Sequence, residues 1–148
     1  MSVAIKIPLY NAEATILETL DSLLQQTYQD FFIYIYDNAS SDNSIKYIKS
    51  LNDDRIIIIT SEQNRGWNWN FNRCLGVCEH EYLLIAHADD FYHAEFLEKN
   101  LEILTHNKPN LLFSKGLPFR NIESISQGKK IDNCLNFSIF NTHEELLQ

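Results

Sequence analysis

The chain has 148 residues, the size of one average domain, and hydrophobic residues make up 45% of it, a globular composition. Its formal charge of −8 argues against nonspecific nucleic-acid binding, which depends on cations that neutralise phosphates, and against adhesion to an anionic membrane surface. No apolar run approaches the roughly 20 residues of a transmembrane segment, no signal peptide is visible and three cysteines make no disulfide framework, so we expect a protein of the reducing cytoplasm.

Short segments rich in β-branched and aromatic residues predict five strands. Several are almost continuously apolar, as in the four isoleucines at 56–59. Such strands suit a sheet that is covered on both faces, which usually means parallel strands with helices between them. The predicted strands are residues 3–7, 31–36, 56–60, 82–86 and 111–114.

The stretches between these strands have helical spacing, with apolar residues three and four positions apart. Asn11 is placed to cap the first helix, and Ser41 or Asp42 the second, which carries Ile45 and Ile48. The apolar stripe of the first helix consists of Ile16, Leu17, Leu20, Leu23 and Leu24.

Two more helices are expected over residues 69–77 and 94–105, the latter ending before the Lys108-Pro109 pair. Strands and helices therefore alternate from the first strand to the fifth. This order predicts an α/β fold, a three-layer, Rossmann-like sandwich around a mostly parallel central sheet.

The last third of the sequence differs, because its apolar periodicity is weak from residue 116 to residue 141. Residues 142–145 (Thr-His-Glu-Glu) then match a capping box, which begins a helix. Only three residues follow, so this pattern predicts a fragment or a truncated protein.

Ligands of open parallel sheets collect where the strands end, and here those loops carry polar residues. Asp89 and Asp90 are the sharpest pair, because adjacent carboxylates repel each other unless a cation is present. Mg²⁺ or Mn²⁺, completed by substrate phosphates, removes that conflict. In the alternative interpretation, Asp89 caps a turn and Asp90 is merely solvated. No glycine-rich phosphate loop is present, so a nucleotide would need a metal and side chains.

An ordered series of motifs resembles family 2 glycosyltransferases with the GT-A fold. The resemblance extends over about residues 3 to 115, and it rests on the order and spacing of the motifs together. The motifs are VAIKIPLYN at 3–11, SLLQQTY at 22–28, YDNASSD at 36–42, NRG at 64–66, NFNRCL at 70–75 and HADD at 87–90.

This resemblance implies nucleotide-binding roles for five positions. Pro8, Leu9 and Tyr10 would contact the nucleotide, Asp37 would face the nucleobase, and Arg65 would also touch the nucleotide. In the alternative interpretation, Asp37 simply begins a turn.

The resemblance also implies a DXD-like metal site. Asp89 would hold the ribose and, with Asp90, the metal that bridges the diphosphate of the sugar donor. His87 occupies a position where many members carry a further acid. It would either support this site indirectly or be a core histidine. By the same resemblance, residues 1–115 form the nucleotide-sugar-binding half and residues 116–148 an incomplete start of the acceptor-side region.

The implied reaction inverts the anomeric centre: an acceptor hydroxyl attacks while a nucleoside diphosphate leaves. The acceptor, a saccharide, a lipid or a protein, is not implied. The catalytic base stays unassigned, because no later acid lies in a recognisable base motif, and a donor-binding remnant without base or acceptor groove is the alternative. The later acids are Glu123, Asp132, Glu144 and Glu145.

A phospho-receiver domain ranks far lower. It needs an acidic pair after the first strand, where this chain has Leu9-Tyr10-Asn11, and a lysine after the last strand, for which Lys115 is the lone candidate. Trp67 and Trp69 are more typical of core aromatics than of ligand contacts. Cys74 and Cys78, four residues apart, are more typical of buried thiols than of zinc ligands.

Overall fold

The computed structural model describes residues 1–107, 111–114 and 137–140. The chain divides into two compact units, Met1–Glu98 and Lys99–Gln148. Several predictions fall outside the described residues: those on the Lys108-Pro109 pair, Lys115, the capping box at 142–145, and the acids Glu123, Asp132, Glu144 and Glu145.

The first unit is built on a four-stranded sheet in the order β3-β2-β1-β4, and all of its pairings are parallel. β1 lies in the centre, and nearly all of its side chains are buried, as expected for a strand covered on both faces. The prediction of a parallel α/β sheet is confirmed. The strands are β1 Val3–Leu9, β2 Phe31–Asp37, β3 Ile56–Thr60 and β4 Tyr82–Ile85.

Four helices alternate with these strands. The stripe predicted for α1 buries Ile16, Leu20 and Leu23, whereas Leu17 is 37% exposed. Within the described part of the chain, no helix is both long and apolar enough to cross a membrane. The helices are α1 Ile16–Leu24, α2 Ser44–Ser50, α3 Trp67–Cys74 and α4 Phe96–Asn107.

The predicted cap of α1 was wrong. α1 begins after Thr15, and Asn11 instead lies in a turn with φ 48°, where its side-chain oxygen accepts a hydrogen bond from the Ser41 amide at 2.8 Å. Asn43 occupies the N-cap position of α2 without a capping side-chain bond, but the carboxylate of Asp42 accepts from the amide of Ser44, the first residue of α2, at 3.0 Å, as predicted. Short polar side chains serve loops as well as helix ends, which is why spacing alone misassigned Asn11.

The third helix lies earlier than predicted and ends at Cys74, so Cys78 is not on it. Gly66, with φ 87° and ψ 166°, ends the preceding loop in a conformation that favours glycine and starts α3 at Trp67. At the other end, the buried Lys6 ammonium donates to the carbonyls of Gly76 and Val77 at 3.1 and 3.2 Å. A cation at the C-terminal end of a helix is favourable, so Lys6 helps to fix where α3 stops.

The second unit contains two strands, of which the sequence pattern predicted the first but not the second. β5, Leu111–Ser114, pairs antiparallel with β6, Phe137–Phe140, in a separate two-stranded sheet. β6 falls in the stretch of weak apolar periodicity at residues 116–141, so it was not recognisable from the apolar pattern.

Candidate functional site

The four strand-end loops singled out in the sequence lie at one edge of the parallel sheet. Leu9 of β1 pairs with Asp37 of β2, which pairs with Thr60 of β3, so three strands end in register. β4 ends earlier, at Ile85, beside Lys6. The carboxyl edge of this sheet is therefore where polar groups from distant parts of the sequence meet.

The end of β1 presents one large side chain to solvent. Pro8 has no N–H to donate. Because the β1–β4 pairing has ended at Lys6, a proline at this point of a central strand removes no hydrogen bond between strands. The side chain of Leu9 is fully buried, and its carbonyl accepts from the Asn38 amide at 2.9 Å. Tyr10 is 48% exposed at the mouth of the site.

Asp37 is buried at the end of β2, with only 3% of its surface exposed. One carboxylate oxygen accepts from the Ser40 amide at 3.1 Å, so the side chain does organise the turn that follows. Its carbonyl accepts from the Ser61 amide at 2.9 Å, which connects β2 to the loop after β3. Its contact with a nucleobase stays a prediction.

Asn38 is a site residue that sequence reasoning missed. Its side chain is buried and donates to Asn64 Oδ1 at 2.8 Å and to the Gly66 carbonyl at 3.2 Å. Its own oxygen accepts from the Arg65 amide at 3.1 Å. An asparagine directly after a strand-ending acid was the available signal. Asn38 fixes the backbone of the loop that carries Arg65.

The Arg65 side chain is exposed and oriented by an aromatic ring. Its guanidinium lies 4.9 Å from the centroid of the Trp69 ring, a cation–π arrangement. Within the described residues it forms no ion pair, so it can accept an anionic ligand. Arg65 and Asp37 are brought to the same edge, as predicted, through Asn38.

α3 holds the ends of β1 and β2 through two further residues of the motif at 70–75, to which the sequence analysis gave no role. The buried Asn70 amide donates to the carbonyls of Leu9 at 3.3 Å and Tyr36 at 2.7 Å. Arg73 donates to Asn70 Oδ1 at 3.1 Å and to the Asp37 carbonyl at 3.4 Å. The Leu9 and Asp37 carbonyls already accept from backbone amides, so α3 adds second hydrogen bonds to these oxygens at the strand ends.

The loops after β1 and β2 are joined by side-chain hydrogen bonds. The Asn11 amide donates to Ser40 Oγ at 3.0 Å, and the Glu13 amide to Asp42 Oδ2 at 2.9 Å. In return, Glu13 accepts from the Asn43 amide at 2.8 Å. The two loops therefore behave as one rigid rim beside Tyr10.

Asp42 has a perturbed acidity in this rim. Desolvation raises the pKa of its carboxyl, but hydrogen bonds from Ser44 and from the Glu13 amide outweigh this, and the pKa lies below the ordinary value of 3.8. Asp42 is therefore ionised throughout the neutral range, and its charge holds the rim together.

Asp89 and Asp90 are both exposed in the loop after β4. The Asp90 amide donates to the His87 carbonyl at 3.4 Å, and the Tyr92 hydroxyl donates to Asp90 Oδ2 at 3.3 Å. Burial, followed by the charge of Asp90, raises the pKa of Tyr92, so this hydroxyl stays protonated and remains a donor. Within the described residues, the Asp89 carboxylate makes no hydrogen bond, which contradicts a turn-capping role.

The acidic pair fits a hard divalent cation. Its carboxylate oxygens are exposed, and neither acid is ion-paired in the described part of the chain. The described residues contain no group of three acids, histidines or cysteines that could hold a metal alone. One or two carboxylates suffice for Mg²⁺ when substrate phosphates supply further ligands, so the donor set matches a metal that arrives with its substrate.

The segment that follows α1 supports the loop between β4 and α4 (residues 86–95, here called the acidic loop), chiefly through Gln26. This amide is buried, donates to the His93 carbonyl at 2.7 Å and accepts from the Leu97 amide at 2.9 Å. Nearer the acids, Thr15 Oγ1 donates to the Ala88 carbonyl at 2.8 Å. The family resemblance included Gln26 without a role, and the structure supplies one.

The structure contradicts the predicted core position of Trp67 and confirms a buried thiol at Cys74. Trp67 is 61% exposed and His87 is exposed, so neither is a core residue. Cys74 is buried, and burial raises the pKa of its thiol to about 11, which confirms an inert thiol. Cys78 is half-buried.

The sequence matches the model of glycosyl transferase family 2 over residues 4–141, nearly the whole chain. The chain therefore belongs to glycosyl transferase family 2. Its fold is the GT-A fold: residues 1–349 of S. aureus TarS, crystallised with UDP, superpose with a TM-score of 0.71 at 24% identity, over 82% of this chain and 38% of that one. Mannosyltransferase PcManGT from Pyrobaculum calidifontis, in complex with GDP-Man and Mn²⁺, gives a TM-score of 0.69 at 20% identity, over 83% of this chain and 37% of that one.

A curated relative is WfgD of Escherichia coli, a UDP-Glc:alpha-D-GlcNAc-diphosphoundecaprenol beta-1,3-glucosyltransferase. It is 30% identical over 111 residues, which cover 75% of this chain and 44% of WfgD. The chain thus spans less than half the length of each of these three proteins.

Proposed function

We propose that this chain is the nucleotide-sugar-binding part of a metal-dependent, inverting glycosyltransferase. The observation that carries the proposal is the meeting, at one sheet edge, of Tyr10, Asp37, Arg65 and an exposed acidic pair that forms no ion pair with any described residue. Family membership and relatives whose names or bound ligands include UDP-Glc, UDP and GDP-Man support a nucleotide-diphosphate sugar as the donor.

The nucleoside would lie over the ends of β1, β2 and β3. Tyr10 offers a half-exposed ring for packing, and the polypeptide at Pro8 and Leu9 forms the floor beneath it. Asp37 would face the base, and the Arg65 guanidinium would meet the nucleotide from the next loop. Because Asn38 and Asn70 fix these strand ends, the nucleoside would bind to a rigid surface.

Asp89 and Asp90 would hold the divalent ion, with Asp89 also at the ribose. When bound, Mg²⁺ or Mn²⁺ neutralises charge on the departing diphosphate as a Lewis acid. Tyr92 keeps Asp90 oriented through its hydrogen bond. The acids would lie next to the bond that breaks while an acceptor hydroxyl attacks from the opposite side.

Residues 116–148 would begin the acceptor side, where a saccharide, a lipid or a protein would bind. The alternative of a donor-binding remnant without transfer is not favoured, because the family match continues to residue 141 and the curated relatives are named as glycosyltransferases.

Calorimetric titration of UDP and GDP, with and without Mn²⁺, tests the donor site. We compare wild type, Asp90→Asn and the matched control Asp54→Asn, whose exposed carboxylate precedes β3 at the opposite edge of the sheet. Wild type and the control should bind one of the two nucleotides, and this binding should require Mn²⁺. Asp90→Asn should bind at least about tenfold more weakly, because it removes a charged metal ligand.

Folded wild type that binds neither nucleotide would overturn the proposal. Binding that ignores Mn²⁺ and is equal in Asp90→Asn would leave a nucleotide site but refute the role of the acidic pair.

A further inference from the structure

Three aromatic side chains form a stack, here called the aromatic stack, next to the acidic loop. The ring of Trp67 lies 4.9 Å from that of Phe71 at an interplanar angle of 17°, and Phe71 lies 6.4 Å from the His87 ring at 13°. Trp67 and Phe71 are four residues apart on α3 and so share one of its faces. The stack ends in an indole that is 61% exposed.

Trp69 lies on the same helix but, unlike Trp67, is partly covered by other side chains. Its ring is half-buried and carries two guanidinium groups, those of Arg65 at 4.9 Å and Arg73 at 4.8 Å. Among the described residues, no cation lies over Trp67. Trp67 is therefore a large, rigid, apolar surface that the chain supports with a second ring and leaves open.

The stack is connected to the proposed metal site by its third ring. His87 lies two residues before Asp89, and its carbonyl accepts from the Asp90 amide at 3.4 Å. A group bonded to the diphosphate beyond the metal would thus lie near the rings, as would an acceptor approaching that group.

We propose that the aromatic stack binds a pyranose ring, whose apolar C–H face packs on the Trp67 indole. Phe71 and His87 hold the indole in place, so that little side-chain entropy is lost when the sugar binds. This inference rests on the proposed function, and the pyranose is either the sugar of the donor or a sugar of the acceptor.

The test compares ligands that differ only by a sugar. Wild type, Trp67→Ala and Trp67→Phe are titrated with UDP, UDP-glucose, GDP and GDP-mannose in Mn²⁺, and with maltotriose as a free saccharide. We expect Trp67→Ala to bind the nucleotide sugar about threefold to tenfold more weakly while binding the matching nucleoside diphosphate as wild type does. Trp67→Phe should recover most of the loss.

Phe32→Ala is the control, because it removes another exposed aromatic ring from near the beginning of β2, away from the site. It should leave every titration unchanged. Melting curves of each variant establish that the protein remains folded.

The outcomes separate the two sources of the sugar. A loss confined to nucleotide sugars identifies the donor, and a loss confined to maltotriose identifies an acceptor sugar. Equal weakening of UDP and UDP-glucose, or no change in Trp67→Ala, overturns the inference while the donor site stands. If wild type binds no nucleotide but binds maltotriose through Trp67, the proposed function fails and the stack remains a sugar site; binding of neither ligand class overturns both.

Discussion

Single residues at the strand ends determine how rigid the site is. Asn38, Asp42 and Gly66 each make a local connection that no regular element supplies. Their effects are separable, because one acts through a neutral amide, one through charge and one through backbone conformation. The charge of Asp42 gives one prediction, and the positive φ of the neighbouring Ala39 gives another.

Asp42→Asn should weaken folding in a pH-dependent way. A carboxyl whose pKa is lower in the folded state stabilises the protein above its unfolded pKa of about 3.9, and that stability is lost as pH falls through the folded pKa. Urea unfolding should show a loss of about 0.5–1 kcal/mol at pH 7 that shrinks below about pH 4. Asp54→Asn should show no such pattern, and a constant deficit in Asp42→Asn would contradict the assignment.

Ala39→Gly should stabilise the fold. Ala39 has φ 61°, a left-handed conformation that costs a residue with a Cβ about 1–2 kcal/mol, and glycine adopts it freely. After the entropy that glycine loses, we expect a gain of about 0.5–1 kcal/mol in thermal or urea unfolding. The matched change Ala14→Gly, at an exposed position without positive φ, should lower stability instead.

At the level of elements, each helix that flanks the sheet holds a particular loop. α3 holds the ends of β1 and β2 through Asn70, and Gln26, two residues past the end of α1, holds the loop after β4. The site is thus assembled by helices that contribute no ligand contact in the proposed mechanism. Buried amides suit this role, because each both donates and accepts.

Gln26→Leu should destabilise the protein by about 1–3 kcal/mol, because it leaves the His93 carbonyl and the Leu97 amide without their partner. Hydrogen exchange at the Leu97 amide should accelerate as well. Gln25→Leu is the matched control: its side chain is exposed and bonds only Asp21, so a change within about 0.5 kcal/mol is expected. Equal effects of the two substitutions would refute the support of the acidic loop by Gln26.

At the level of the whole molecule, the apolar pattern was sufficient for the fold of the first unit. Nearly continuous apolar strands predicted a parallel sheet covered on both faces, and the central strand β1 is buried in that way, whereas the isoleucines at 56–59 lie on the edge strand β3 and are half-buried. The order of strands and helices then placed the loops with Tyr10, Asp37 and Asp89-Asp90 at one edge. Sequence order also carried the family resemblance, which the match over residues 4–141 confirms.

Only the tertiary structure decided which polar groups are partners. Asn38 bonds the Arg65 amide 27 residues away, and Gln26 bonds His93 67 residues away, distances over which no sequence period extends. It also brought the His87 ring onto Phe71, 16 residues earlier in the chain, whereas the contacts of Trp69 with Arg65 and Arg73 follow the i±4 spacing of a helix. Burial follows from periodicity, whereas a hydrogen bond or a ring contact requires two distant segments to meet, and only the folded chain sets that distance.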